Sequence, residues 1–129
     1  MSMRRRHASA SPFERTIGFA RAVRVGNRIL VSGTAPVEAD GSSTPGDAEA
    51  QAGRCLVIIR EAVEALGGAV GDIVRTRMFL RDAVDAEAVG RAHGAVFRDV
   101  RPASTMVAGI QLLRPEWLVE IEAEAEVDG

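Results

Sequence analysis

The segment LVEIEAEAEV, Leu118 to Val127, places glutamates two apart at positions 120, 122, 124 and 126. In an extended chain this spacing turns all four carboxylates one way. Val119, Ile121, Ala123, Ala125 and Val127 turn the other. A solvated strand face accounts for Glu124 and Glu126. Glu120 differs, because Trp117 and Leu118 precede it and the strand is there entering the core. Apolar surroundings disfavour a charged carboxylate, raise its pKa and suit it to acid–base work. Arg75 and Arg77 repeat the two-residue spacing on another strand, and like charges so placed need partners; the glutamate face across the sheet offers them. Ser32-Gly33 closes a strand. A glycine there lets a ligand approach the backbone, and the serine hydroxyl can hydrogen-bond to it. RPASTMV, Arg101 to Val107, opens an apolar run with a proline, two hydroxyls and a methionine. His93, beside Ala92 and Gly94, reads as a surface or capped residue, since no Ser–His–Asp spacing makes it a base.

Composition narrows the chemistry further. All sixteen basic residues are arginine and none is lysine, so a Schiff-base lysine is excluded. The formal net charge is −2, and no basic stripe of the kind that grips a phosphate backbone is present. The triplet Arg4-Arg5-Arg6 is too small a patch to change that reading. One cysteine, Cys55, makes no internal disulfide, and with two histidines it builds no zinc site; its apolar helical setting marks it as a core residue. No metal, cofactor, phosphate-loop or dinucleotide motif is present. The arginines near the start are not followed by an apolar segment of the kind a secretory signal needs, and no window approaches a membrane span. These features predict a cytoplasmic protein with a polar leader.

The elements that must hold these groups follow from periodicity. Phe19 to Gly33 reads as a hairpin turned at Gly26-Asn27. EADGSSTPGD is a loop by composition. Asp47 caps a helix whose stripe is Cys55, Ile58, Ile59, Ala62, Val63 and Leu66, ended by Gly67-Gly68. DIVRTRMFL is a strand, with Val74, Thr76, Met78 and Leu80 on one face and Ile73, Arg75, Arg77 and Phe79 on the other. A second helix spans about Asp85 to Phe97 with Ala88, Val89, Ala92 and Val96 inward. STMVAGIQL, a turn at RPEW, and the glutamate strand complete the order ββαβαββ. About five strands and two helices predict an α+β fold, one sheet with both helices on one face. Its opposite face then needs a cover, which another subunit supplies.

These blocks resemble a known family. RVGNRILVSGTAP resembles the first hairpin of the RidA (YjgF, L-PSP) proteins. GDIVRTRMFLRD, AVGRAHGAVF, RPAST and LVEIEAEA match its later blocks in the same order, over about residues 16 to 128. The resemblance implies a chorismate-mutase-like α+β domain over residues 16–129 behind a leader of residues 1–15. It also implies a homotrimer whose inter-subunit clefts take a small molecule. The acidic charge balance and the hydropathy leave neither nucleic acid nor membrane as an expected partner. In the best-known members those clefts hydrolyse enamines and imines without a cofactor. Carried over by position, Glu120 is the catalytic carboxylate, and Phe19, Ser32, Gly33, Ser104, Thr105 and Met106 contact substrate. Phe19 stands where the family has a tyrosine, and this chain contains no tyrosine. Ser104 stands where the family has a carboxylate-gripping arginine; Arg101, three residues earlier, is not assigned that role. A residue is also added near Gln111 to Arg114. The resemblance therefore implies a hydrolytic deaminase whose substrate lacks a simple α-carboxylate or presents it differently. The alternatives are a non-catalytic metabolite-binding or chaperone-like trimer and, disfavoured by charge, an endoribonuclease.

Overall fold

The computed structural model describes residues 4–128. Six strands form one mixed sheet: β1 (Arg4–His7), β2 (Ala22–Val25), β3 (Arg28–Thr34), β4 (Ile73–Leu80), β5 (Ala103–Ala108) and β6 (Val119–Glu126). Their spatial order is β1-β2-β3-β6-β4-β5. Every neighbouring pair is antiparallel except β4 and β5, which are parallel. Parallel neighbours need a crossover, and α2 (Ala86–Phe97) provides it; α1 (Ala48–Ala65) carries the chain from β3 past β6 to β4. The fold class is the α+β one expected, a single sheet with two main helices. Among the described residues no helix is long and apolar enough to cross a membrane.

The strand count differs from the sequence reading. Arg4–His7, inside the leader, pairs antiparallel with β2 as a sixth, edge strand. Its sequence RRRH has no apolar alternation to betray it. Backbone pairing holds it, helped by Arg5 Nη2 donating to the Leu66 carbonyl at 3.2 Å.

The helix ends follow local chemistry. Asp47 accepts from the Ala50 amide at 2.9 Å, and Gly67 takes φ +89°, closing α1 as a left-handed cap. Cys55, Ile59, Ala62, Val63 and Leu66 are buried as expected, and Leu56 joins them, while Ile58 is only half-buried. On α2 the inward stripe ends at Phe97 rather than Val96, which is 38% exposed. The larger aromatic takes the buried position.

His93 also departs from expectation, because it faces the sheet. Its Nε2 lies 2.8 Å from Thr76 Oγ1, and Thr76 in turn donates to Ser104 Oγ at 2.8 Å. The buried Thr76 hydroxyl on β4 gives the ring a polar partner, and Phe97 packs on it at 4.5 Å. Burial lowers the His93 pKa.

Two bulges set the faces of the sheet. In β4, Ile73 opposes Ala125 while Arg75 opposes Glu124, so Val74 is an extra residue. Ile73 therefore joins Thr76, Met78 and Leu80 in the core and Val74 turns outward, 47% exposed; the expected facing of these two residues is reversed. In β3, Val31 opposes Ala123 and Thr34 opposes Ile121, three residues against two. Beyond the bulges the expected faces hold. Val119, Ile121, Ala123 and Ala125 are buried under the helices. On the other face Arg77 pairs with Glu122 at 2.9 Å and Glu124 at 3.7 Å, and Arg28 pairs with Glu124 at 3.2 Å. Arg75, opposite Glu124, makes no ion pair among the described residues. Leu30 and Val107 leave apolar surface exposed on that face.

Candidate functional site

The bulge in β3 builds one end of the site. It keeps Val31 and Thr34 on the core side while setting Gly33 against the first turn of β6, where Glu120 stands. A β-carbon on Gly33 would lie 3.3 Å from Glu120 Cδ and 3.4 and 3.5 Å from its two oxygens. Only a glycine lets the carboxyl group sit this close to the β3 backbone.

Arg21, just before β2, holds the other walls in place. It forms a buried ion pair with Glu14, Nε to Oε2 at 3.2 Å. Its Nη1 donates to the Gly33 carbonyl and, at 3.1 Å, to Thr34 Oγ1. Its guanidinium also lies 5.2 Å from the Phe19 ring centre. One side chain thus ties the bulge to the short helical turn Glu14–Gly18. Ser9 donates to the same Glu14 carboxylate through its amide at 3.0 Å and through its hydroxyl. Burial works against the charged form of Glu14, but the bonds from Ser9 and the Arg21 guanidinium outweigh it and hold the carboxyl below its ordinary value.

Trp117 closes the floor. It is buried, meets Phe13 edge-on at 6.2 Å, and donates from Nε1 to Ser43 Oγ at 3.0 Å. Arg114 lies over both rings, 5.5 Å from Phe13 and 5.3 Å from Trp117. Behind it, buried Gln51 donates to the Thr44 and Glu116 carbonyls at 3.2 and 3.0 Å and accepts from the Leu118 amide at 2.8 Å. The approach to β6 is therefore pinned two residues before Glu120.

These groups enclose a cavity of about 160 Å³. Its walls are largely apolar, from Phe13, Ile17, Phe19, Ile58, Leu113 and Trp117; its charged groups are Arg21, Arg54 and Glu120. The Glu120 carboxylate accepts no hydrogen bond from a described residue. Burial raises its pKa, the positive charge of Arg21 pulls it back, and Glu122 pushes it further up. A carboxyl group with free lone pairs and raised basicity, at the base of a small apolar cavity, can move a proton to and from a bound molecule or water. Cys55 is close by but inert, since burial and then the Glu120 charge push its thiol up.

Of the residues singled out in sequence, Phe19, Gly33 and Glu120 meet in this cavity. Ser32 does not line it; its hydroxyl donates to the Ala20 carbonyl at 2.8 Å and braces the bulge. Ser104, Thr105 and Met106 lie on edge strand β5, separated from β6 by β4, and line no part of the cavity. Arg21, Arg54, Thr34 and Trp117 were not singled out. An arginine at the start of the apolar β2, and another inside the α1 stripe, were the available signs.

The family model Endoribonuclease L-PSP matches residues 10–127. The uncharacterized protein SCO2049 of Streptomyces coelicolor is 37% identical over 121 residues, 94% of this chain and 90% of the relative. The 2-iminobutanoate/2-iminopropanoate deaminase of Escherichia coli is 34% identical over 107 residues, 83% of this chain and 84% of the relative. The crystal structure of Rv2704 from Mycobacterium tuberculosis, a member of the YjgF/YER057c/UK114 family, superposes with a TM-score of 0.87 at 38% identity, covering 97% of this chain and all of that one. The match across nearly the whole chain and the shared fold place it: the chain belongs to the Endoribonuclease L-PSP family, the YjgF/RidA proteins.

Proposed function

We propose that the cavity binds a small imine or enamine and hydrolyses it, with Glu120 as the proton-transfer group. The observation that carries this is the Glu120 carboxylate, without a hydrogen-bond partner among the described residues, in a largely apolar cavity and raised in pKa by burial. An enamine first takes a proton at carbon to become the iminium ion. Glu120 then removes one proton from water as the water oxygen bonds to the iminium carbon, and passes that proton to nitrogen. The carboxylate so regenerated takes the remaining hydroxyl proton of the carbinolamine as the C–N bond breaks, releasing a carbonyl compound and an amine or ammonia. Water is the only co-reactant, so the chemistry calls for no cofactor. The deaminase name of the Escherichia coli relative supports this reading.

The working unit proposed is a homotrimer in the cytoplasm. The unpaired outer edge of β5 and the exposed Leu30 and Val107 are what support a subunit contact. A neighbouring copy seated there would bring Ser104, Thr105 and Met106 to an inter-subunit cleft.

The test is release of ammonia from 2-iminobutanoate and a panel of imines and enamines formed in situ. Glu120→Gln should lower turnover by about 10²–10⁴-fold, the usual worth of a general acid–base group. Full turnover by Glu120→Ala on a genuine substrate would remove the assignment. Saturable binding across the panel with no product would favour the second reading, a metabolite-binding trimer without catalysis, which the same cavity also serves.

A further inference from the structure

We infer that Arg54, on α1, is the group that holds the negative charge of the substrate. This rests on the proposed use of the cavity as the reaction site and assigns it a specificity residue. Two guanidinium groups reach its walls, and they are not equivalent. Arg21 is committed: its charge is met by buried Glu14 at 3.2 Å, and it donates to the Gly33 carbonyl and to Thr34 Oγ1. Arg54 is anchored at one point only, where its Nε donates to the Val37 carbonyl at 2.9 Å. Its nearest carboxylate, Glu38, lies 3.6 Å from Nε, is itself 40% exposed, and already accepts from Thr44 Oγ1 at 2.6 Å. Neither Nη atom of Arg54 hydrogen-bonds to a described residue. The outer fork of a guanidinium fixed at Nε is preorganised for two parallel bonds to a carboxylate.

The rest of the wall completes the substrate's outline. Ile17 and Leu113 line the same cavity yet remain 62% and 71% exposed, so an apolar substituent laid across them would be buried on binding. Glu120 marks the reacting carbon–nitrogen bond. The substrate class is thus an imine or enamine carrying both a carboxylate and an aliphatic or aromatic substituent. Strand β5 offers only the uncharged Ser104, Thr105 and Met106, so no cation from that strand competes with Arg54 for the anion.

The test is a pair of stable ligands differing only in the anion: 2-oxohexanoate and its neutral analogue 2-hexanone, titrated by NMR into the full chain. The wild type should prefer the carboxylate by about tenfold or more, the worth of one charge-assisted contact. Arg54→Gln should bring the preference to parity and leave 2-hexanone binding unchanged. Arg54→Lys should keep part of it, and Arg54→Met serves if the glutamine variant fails to give a native amide spectrum. Glu120→Gln should retain the preference. A preference that survives Arg54→Gln, a wild type without one, or no binding of either ligand overturns the inference. Turnover is read separately: an Arg54-dependent preference with no catalysis on any imine would keep this inference and refute the hydrolase reading. Catalysis with an Arg54-independent preference would do the reverse.

Discussion

Replacing Glu14 by alanine strips Arg21 of its only carboxylate partner among the described residues, and the two are the most enclosed charged groups described, 7% and 4% exposed. Removing one partner of a buried ion pair leaves an uncompensated charge and costs about 3–5 kcal/mol. Against a total stability of about 5–15 kcal/mol for an ordinary domain, that is a large share. With a urea dependence of about 1–3 kcal/mol per molar, the unfolding midpoint should fall by about 2 M. Glu14→Ala with Arg21→Met removes the stranded charge and should recover part of the loss, although the Gly33 carbonyl then lacks its donor. The pH dependence has a definite sign. The Glu14 carboxyl is held below its ordinary 4.5, so the stability it contributes is fully present above pH 4.5 and is lost as pH falls through the lower folded-state value. Glu14→Gln should flatten the profile in that acid window. If Glu14→Ala stays within about 1 kcal/mol of wild type, or the double variant is less stable than the single one, the pair is not the strut described.

Other consequences are measurable on the same protein. Glu120 titrates above its ordinary 4.5, so the native state is progressively disfavoured as pH rises through the folded-state value; Glu120→Gln should therefore unfold at a higher temperature than wild type at pH 7–8, the difference vanishing below pH 4.5. Gly33→Ala puts a methyl 3.3 Å from Glu120 Cδ and must displace the carboxyl, so turnover should drop by about ten- to a hundredfold while thermal unfolding moves little. Gln51→Ala leaves three part-buried backbone groups without their partner and should cost about 1–3 kcal/mol, with faster amide exchange at Trp117 and Leu118 and a loss of activity as Glu120 loses its mooring.

What could be read from the chain alone was what local periodicity encodes. The hairpin turn at Gly26-Asn27, the Asp47 cap, the Gly67 stop and the alternation of β6 depend on neighbours a few residues apart, and all are found where expected. The bulges at Val74 and at Ser32-Gly33 depend on the register of a partner strand, which no single segment specifies; hence the reversed facing of Ile73 and Val74. Edge strand β1 carries no apolar face and is defined by backbone pairing alone. Glu120, Gly33 and Phe19 were legible through motif resemblance, and the cavity unites them. Arg21 was not, because a buried arginine makes sense only once Glu14 is known to fold back against it. His93 was misread for the same reason, its partner Thr76 lying on a different element.

The bonds from His93 through Thr76 to Ser104 couple single positions on α2, β4 and β5. The hydroxyl of exposed Ser104 ends a polar chain that satisfies buried Thr76 and steadies a half-buried imidazole. Ser104→Arg would add a charge to the strand but break that chain, so tolerating it would need a second change at Thr76 or His93.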